Sequence, residues 1–138
     1  MKKIFSFALC LSMMIILASC GKQSPDTDLW ATATYLEDIE LGEGEKTLIT
    51  EVIAGEKSVV FTIHTDAVTV GEALNEHQLV SGEQGAYGLY IKSVNGIVAD
   101  YDKNQSYWAI THAGEYMTTG VDGTEFANGD KFELTYTK

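Results

Sequence analysis

An Asn-Gly dipeptide between two β-prone segments most constrains how this chain can fold. Residues 88–94 alternate as a strand does, with Leu89 and Ile91 on one face and Tyr90 and Val94 on the other. Asn95-Gly96 follows and favours a type I′ turn, because both residues tolerate positive φ and the twist of that turn matches paired strands. Residues 97–101 then run back. The pattern predicts a β-hairpin, and Tyr107-Trp108 opens a further predicted strand.

Two more β-rich segments, residues 47–54 and 58–64, are separated by a short connection of the length and composition of a hairpin loop. Apolar and polar residues alternate in the second segment, which predicts a strand with one buried face. A closing strand near residue 134 shows the same alternation. The predicted core comprises Val59, Phe61, Ile63, Leu74, Leu89, Ile91, Trp108, Ile110, Phe132 and Leu134.

A single short helix is predicted between these two regions. Thr69 and Glu72 have the spacing of a capping box, in which the two residues satisfy each other's free backbone donors. Apolar residues follow at helical spacing, so we expect a helix over residues 70–77. Residues 81–85 and 100–106 are polar and are predicted to be connections. One short helix packed on a mostly antiparallel sheet is an α+β arrangement, and the β-grasp is the best-known fold of that order.

The N-terminal residues predict export. A short basic start precedes an apolar run over residues 4–17, which is too short to span a bilayer comfortably. Residues 17–20, Leu-Ala-Ser-Cys, resemble a bacterial lipobox, in which Cys20 becomes the lipidated first residue of the mature chain. The alternative is an ordinary signal peptide with an incidental cysteine. The predicted divisions are a signal peptide (1–19), a lipidated cysteine with a tether and acidic lead-in (20–45), and one domain (46–138).

The charge balance excludes one class of partner. The chain has 9 basic residues, none of them arginine, against 20 acidic ones, and its net charge is −11. Nucleic-acid binding requires clustered Lys and Arg, so we expect no nucleic-acid partner. Electrostatic adhesion to anionic lipid is disfavoured for the same reason. The lipid on Cys20 is therefore expected to hold the protein at the outer face of the cytoplasmic membrane.

Six short motifs in order resemble a known family. They are Val70-Gly71-Glu72-Ala73-Leu74, Gly88-Leu89-Tyr90, Val94-Asn95-Gly96, Tyr107-Trp108, Gly120-Val121-Asp122 and Gly129-Asp130. Together they make residues 46–138 similar to the C-terminal domain of transcobalamin and intrinsic factor. The resemblance implies a β-grasp-like ligand-binding module, often carried by secreted or lipid-anchored proteins of Gram-positive bacteria. Transcobalamins also hold the corrinoid against a large helical barrel, for which this chain has no room, so a ligand would be held by this domain alone or with a separate partner.

The resemblance also implies a ligand-binding segment. Tyr87-Gly88-Leu89 matches the segment that faces the corrinoid in transcobalamin-like domains, and Tyr107 would join it if the two strands pair. Gly88 would allow close approach to the backbone, and Tyr87 would offer an aromatic edge with a hydroxyl. The alternative is that Gly88 forms a bulge and Tyr87 is a surface residue. Trp108 is expected in the core and Tyr107 outside it.

Neither catalysis nor metal binding is predicted by a motif. The chain has no G-x-S-x-G and no phosphate-binding loop, and its histidines are scattered. Asp100, Asp102 and Asn104 resemble the start of a calcium loop, but Gln105 replaces the required glycine. We therefore expect a non-enzymatic binding protein without a cofactor, for a small ligand such as a corrinoid. The alternatives are a structural or interaction module with an envelope protein partner, or a metal-binding protein.

The lipid anchor gives a first prediction. A fatty-acid probe fed to the producing bacterium should label the wild-type protein and fail to label a Cys20→Ser variant, because the substitution removes the acceptor sulfur. A Cys10→Ser variant is the matched control and should be labelled like the wild type, since Cys10 lies within the predicted signal peptide. Equal labelling of both variants would contradict the prediction.

Overall fold

The chain forms two β-sheets connected by short helical segments. The structure, a computed structural model, describes residues 28–138. Its strands and helices are β1 (Ile39–Leu41), β2 (Lys46–Ala54), β3 (Lys57–Thr65), α1 (Val70–Asn75), β4 (Val80–Gly85), β5 (Gly88–Val94), β6 (Ile97–Val98), α2 (Tyr101–Asn104), β7 (Tyr107–His112), β8 (Glu115–Tyr116) and β9 (Lys131–Thr137). The larger sheet has the order β1-β3-β2-β9-β7-β8, and the smaller one has the order β4-β5-β6. The predicted α+β class is confirmed, with a second short helix in addition.

The larger sheet is mixed and is centred on the hairpin of β2 and β3. These strands pair along their whole length, with Lys46 opposite Thr65 and Ala54 opposite Lys57. Strand β1 adds in parallel to β3, and β9 adds in parallel to β2. The remaining pairs, β7 with β9 and β7 with β8, are antiparallel. The predicted hairpin is therefore confirmed, and its buried face carries the core.

The predicted core is confirmed at eight of its ten positions. Val59, Phe61, Ile63, Leu74, Ile91, Trp108, Phe132 and Leu134 are all buried. Leu89 and Ile110 are only half-buried, although both pack against the core. The reason is local, because each of them lines an open cleft on one side. Burial of the remaining apolar side chains supplies the main favourable contribution to folding.

The central turn forms as the sequence predicts. Asn95 and Gly96 have φ values of 52° and 82°, so both adopt the positive φ that a type I′ turn requires. A Cβ on Gly96 would lie 2.3 Å from the carbonyl oxygen of Thr32, so the position also lacks room for a side chain. The returning strand is shorter than predicted. It ends at Val98, because Asp100 already caps the next helix.

Residues 29–41, here called the N-terminal strap, pack onto the domain. The strap begins with a 3-10 helical turn, Leu29–Thr32, and ends with β1. Trp30 is buried, and its Nε1 donates a hydrogen bond to the carbonyl oxygen of Ala54 at 2.9 Å. The Tyr35 ring contacts Phe61 edge to face, with ring centroids 5.5 Å apart. The strap therefore contributes side chains to the core, although it precedes the predicted boundary at residue 46.

Three local predictions were wrong. Residues 81–85 belong to strand β4 rather than to a loop, because pairing with β5 overrides a composition of glycine and exposed polar residues. Residues 101–104 form helix α2 within the predicted polar connection. Helix α1 ends at Asn75, before His77, and Gln78 follows with a φ of 55°. The capping box at Thr69 and Glu72 is confirmed.

The predicted signal peptide, Cys20 and the start of the tether lie outside the described residues. Within residues 28–138, none of the helices is both long and apolar enough to cross a membrane. The lipid anchor, the cellular location and the domain boundary at residue 46 remain predictions.

The strap gives a second prediction. A Trp30→Ala variant should lose about 3–5 kcal/mol of unfolding free energy, because a large buried side chain and its hydrogen bond are removed. The measurement is urea denaturation followed by circular dichroism. Leu36→Ala is the matched control on the same strap, and it should change stability little, because Leu36 is 68% exposed. If Trp30→Ala changed the free energy of unfolding as little as Leu36→Ala does, the strap would add nothing measurable to the core.

Candidate functional site

Two neighbouring clefts occupy the surface beside β7 and the tip of the β4–β5 hairpin. The first has a volume of about 510 Å³, and its lining includes Tyr107, Trp108, Ile110, Tyr116, Met117 and Thr119. The second has a volume of about 410 Å³, and its lining includes Gly85, Tyr87, Gly88, Leu89, Tyr90 and Gly120. Met117 and Thr119 line both clefts. We refer to the two together as the paired cleft.

The structure brings the predicted site residues together, but not through the predicted strand pairing. Tyr87, Gly88 and Leu89 line the second cleft, and Tyr107 lines the first. We expected Tyr107 to join this segment through pairing of its strand with the strand that follows Tyr87. That expected pairing was wrong. Strand β5 pairs with β4 and β6, whereas β7 pairs with β8 and β9. The shared wall at Met117 connects the two groups instead. Their role as ligand contacts stays a prediction.

Three lining residues were not singled out from the sequence. Tyr90 was named only within the Gly88-Leu89-Tyr90 motif, and Tyr116 and Met117 belonged to no predicted site. Strand β8 has just two residues, so no periodicity marks which of its side chains face a cleft. The one available signal was the presence of large apolar side chains in a short segment rich in turns. Only the tertiary arrangement turns them into a wall.

Four tyrosines give the paired cleft its chemical character. Tyr87 is 86% exposed and Tyr116 is 75% exposed, while Tyr90 and Tyr107 are 48% and 40% exposed. Exposed aromatic rings of this kind offer flat apolar surface together with a hydroxyl that can donate or accept a hydrogen bond. The residues that line the two clefts include no Asp, Glu, Lys or His. The lining is therefore uncharged on a strongly acidic chain.

Asp122 holds the tip of the β4–β5 hairpin against the next loop. Its Oδ1 accepts a hydrogen bond from the backbone N–H of Leu89 at 3.1 Å. The N–H of Gly120 donates to the carbonyl oxygen of Tyr87 at 3.2 Å. These two bonds tie both ends of the Tyr87-Gly88-Leu89 segment to residues 120–122. The position of Tyr87 therefore depends on this loop.

Gly88 is required by this arrangement. It has a φ of +103°, and a Cβ built on it would lie 2.3 Å from Asp122 Oδ1. Gly88 pairs directly with Gly85 across the hairpin, and the register of β4 and β5 shifts only between Ser81 and Gly82. The positive φ and the lack of room for a Cβ beside Asp122 thus account for the glycine. Close approach of a ligand is not needed to explain it.

Trp108 forms part of the floor of the first cleft. It is buried, as predicted, and its ring meets Tyr136 edge to face, with centroids 5.7 Å apart and planes at 81°. The neighbouring Tyr107 points outward and is 40% exposed, as predicted for the opposite face of the strand. Residues on adjacent strand positions thus supply the floor and the rim of the same cleft.

The described residues contain no cluster of three or more His, Cys, Asp or Glu side chains that could hold a metal ion. Two of the three side chains in the partial calcium motif, Asp100 and Asn104, have structural partners. Asp100 Oδ1 accepts hydrogen bonds from the N–H groups of Asp102 and Lys103 at 3.0 and 3.3 Å, and so caps α2. Asn104 Oδ1 accepts from the N–H and the hydroxyl of Ser106. This segment is a capped turn.

Two of the three histidines have local partners, whereas the buried Nε2 of His77 has no hydrogen-bond partner among the described residues. His112 stacks on Phe132, with ring centroids 4.3 Å apart, and its Nε2 lies 3.8 Å from Asp130 Oδ1. His64 lies between Thr47 and Glu40, with its ring nitrogens 3.3 and 3.4 Å from their side-chain oxygens. These contacts are pairs on different strands rather than a converging set of ligands.

Comparison with known proteins places these features in context. A sequence model of the family described as a domain of unknown function, DUF4430, matches residues 67–138. A solved protein from Ruminococcus gnavus, described as a candidate metal binding protein, is 43% identical with a TM-score of 0.64, and the match covers 68% of this chain and 98% of that one. No curated protein sequence matches the chain.

Haptocorrin, solved in complex with cobinamide (Cbi), is also similar in structure. The identity is 18% and the TM-score is 0.51, and the match covers 71% of this chain and 26% of haptocorrin. At that identity the likeness concerns the fold alone. The predicted resemblance to the transcobalamin family is thereby confirmed for the fold, and the chain corresponds to about a quarter of the length of haptocorrin.

The contact between Asp122 and Leu89 gives a third prediction. An Asp122→Ala variant removes the acceptor for the Leu89 N–H, so this amide should exchange its hydrogen faster than in the wild type. Loss of one such bond costs about 1 kcal/mol, which corresponds to roughly fivefold faster exchange. The measurement is amide exchange by NMR. Asp122→Asn keeps an Oδ1 acceptor and serves as the control, so exchange in that variant should stay close to wild type. Equal acceleration in both variants would show that the charge, not the acceptor, holds the hairpin tip.

Proposed function

Because the chain belongs to the DUF4430 family, whose description names no activity, we propose its function from the geometry of the paired cleft: it is a non-enzymatic protein that binds a small ligand. The observation that carries the proposal is the concave, uncharged surface over which four partly or largely exposed tyrosines converge. Ligand sites of proteins are typically concave and largely apolar, with a few polar groups that orient the ligand.

The shape and chemistry of the paired cleft fit a flat ligand with a polar rim. Tyr87 and Tyr116 can cover a planar ring system with their faces, while their hydroxyls reach its edge. A corrinoid-like molecule has this character. The fold likeness to haptocorrin, which was solved with cobinamide, supports a corrinoid as the first ligand to test. The domain would contact one face of such a ligand, and a second protein could cover the other.

We propose binding rather than catalysis because of the kinds of side chain that line the paired cleft. The paired cleft is lined by tyrosine and threonine hydroxyls and by apolar side chains, and no carboxylate, imidazole or thiol lines it. General acid–base catalysis relies most often on histidine or a carboxylate with a tuned pKa. The proposal therefore assigns the lining residues to contact and orientation.

We further propose that the protein is exported and held by a lipid on Cys20 at the outer face of the cytoplasmic membrane. The support lies in the sequence of residues 1–20, with its basic start, apolar run and Leu-Ala-Ser-Cys ending. A tether over residues 22–28 would then present the paired cleft to the extracellular medium. This arrangement suits capture of a dilute ligand near a membrane.

Metal binding is the second candidate function. The observation in its favour is the description of the Ruminococcus gnavus protein, which is 43% identical to this chain. The scattered histidines and the capping role of Asp100 are unfavourable to it. Calorimetric titration with calcium and with zinc separates the two candidates. Saturable heat with either ion, together with no response to cobinamide, would favour the metal.

A fourth prediction tests the proposed ligand site. Cobinamide should bind the protein with a saturable change in its visible absorbance, and a Tyr87→Ala, Tyr116→Ala double variant should bind it on the order of 10-fold more weakly. Each aromatic contact contributes about 0.5–1.5 kcal/mol, and a tenfold change in affinity corresponds to about 1.4 kcal/mol. Tyr101→Ala is the matched control, because Tyr101 is 57% exposed and lies on α2, outside the lining of either cleft.

The proposed site would be contradicted if the double variant bound cobinamide as tightly as the Tyr101→Ala variant does. Absence of any absorbance change with the wild type would exclude this corrinoid as the ligand. Thermal unfolding of all variants provides the folding check, since exposed tyrosines should contribute little to stability.

A further inference from the structure

The two tryptophans of this chain are both buried but differ in their hydrogen bonding. Trp30 is 7% exposed and Trp108 is 6% exposed. Trp30 Nε1 donates to the carbonyl oxygen of Ala54 at 2.9 Å. Trp108 Nε1 has no hydrogen-bond partner among residues 28–138, and its atom surface is closed to bulk water. The second indole therefore carries a buried donor that the folded chain does not satisfy.

An unpartnered buried donor works against folding. The N–H loses its hydrogen bond to water on burial and gains none in return. Buried polar side-chain atoms usually have a partner, so an exception of this kind calls for a physical explanation. A phenylalanine at position 108 would be apolar and would avoid this penalty.

The location of Trp108 supplies the explanation. It lines the first cleft together with Tyr107, Tyr116, Met117 and Thr119. The hydroxyl of Thr119 already lies 3.1 Å from that of Thr124. The side chain that carries the unused donor thus lines a cavity of about 510 Å³ that a ligand could fill, although Nε1 itself is covered in the free protein.

We infer that Trp108 Nε1 is the donor that orients the ligand in the paired cleft, and that the ligand presents to it a neutral acceptor oxygen such as an amide carbonyl. This inference rests on the proposed function and names the class of ligand. Access to Nε1 requires a side-chain movement. Met117 lines both clefts, and its unbranched thioether side chain readily changes rotamer.

The acceptor is neutral because the site offers nothing to balance a charge. The residues that line the paired cleft include no Lys or His, and the chain contains no arginine. The net charge of −11 disfavours an approaching anion further. A carboxylate or phosphate would therefore lose its hydration without gaining a counter-charge. An amide carbonyl loses much less and still accepts the hydrogen bond.

The test uses the two indole N–H signals of the ¹⁵N-labelled full-length protein, which a Trp30→Phe variant assigns. The probes are cobinamide, whose rim carries amide groups, N,N-dimethylacetamide as a neutral acceptor without a donor, and acetate as a charged acceptor. We expect cobinamide and N,N-dimethylacetamide to shift the Trp108 signal in a saturable way while the Trp30 signal stays in place. Acetate should shift neither signal.

Paired variants provide a second measurement. Trp108→Phe and Trp30→Phe remove similar volumes, but only Trp30→Phe breaks a hydrogen bond in the free protein. Trp108→Phe should therefore lower Tm less than Trp30→Phe does. Its affinity for cobinamide should fall on the order of 10-fold, whereas that of Trp30→Phe should be unchanged.

The possible outcomes test the inference about Trp108 Nε1 separately from the proposed function on which it rests. If cobinamide binds and the Trp108 signal does not move, the inference is wrong and the proposed function stands. If N,N-dimethylacetamide moves that signal but cobinamide does not bind, the inference stands and the corrinoid assignment fails. If neither cobinamide nor N,N-dimethylacetamide has an effect, the inference and the corrinoid assignment both fail. An equal response to acetate would overturn the preference for a neutral acceptor.

Discussion

One buried residue, Asn95, connects three parts of this domain through hydrogen bonds of its backbone and of its side-chain amide. Its backbone N–H donates to the carbonyl oxygen of Leu79 at 2.8 Å, and its own carbonyl accepts from Thr34 at 2.9 Å. Its side chain makes two further bonds, both 2.9 Å, to the backbone N–H and carbonyl of Tyr35. The residue that forms the central turn therefore also holds the N-terminal strap and the segment after α1. Asn95 is only 1% exposed, and removal of its side chain would leave the part-buried backbone N–H and carbonyl of Tyr35 without these two partners.

The two sides of the domain are built differently. The side held by the strap consists of long strands and a bonded core, whereas the paired cleft is formed by a hairpin tip, a two-residue strand and the turn at residues 117–120. Few backbone hydrogen bonds fix that turn. Met117 donates to Ile110 at 2.9 Å and Gly120 donates to Tyr87 at 3.2 Å. A rigid frame that carries a lightly bonded wall is a common arrangement for ligand sites, because the wall can adjust without loss of the core.

The sequence was sufficient where local chemistry decides the structure. The Asn95-Gly96 turn, the capping box at Thr69 and the alternating strands all depend on residues close together in the chain. Strand β4 could not be recognised, because its residues are polar and glycine-rich and only β5 makes them a strand. The same holds for the site: Tyr87 and Tyr107 were identified, but their common wall depends on contacts between distant segments. The missing partner of Trp108 Nε1 has no sequence signal at all, since it is a property of the packed interior.

The position of β9 in the larger sheet has a consequence for how the protein reaches its folded state. Strand β9 follows every other strand in the chain, yet it lies between β2 and β7. The two outer parts of that sheet, β1-β3-β2 and β7-β8, thus have no hydrogen-bonded link until β9 is in place. Pairings between segments so far apart in sequence form slowly. A chain synthesised from its N terminus can therefore join the two parts of this sheet only after β9, its last described strand, is free to insert.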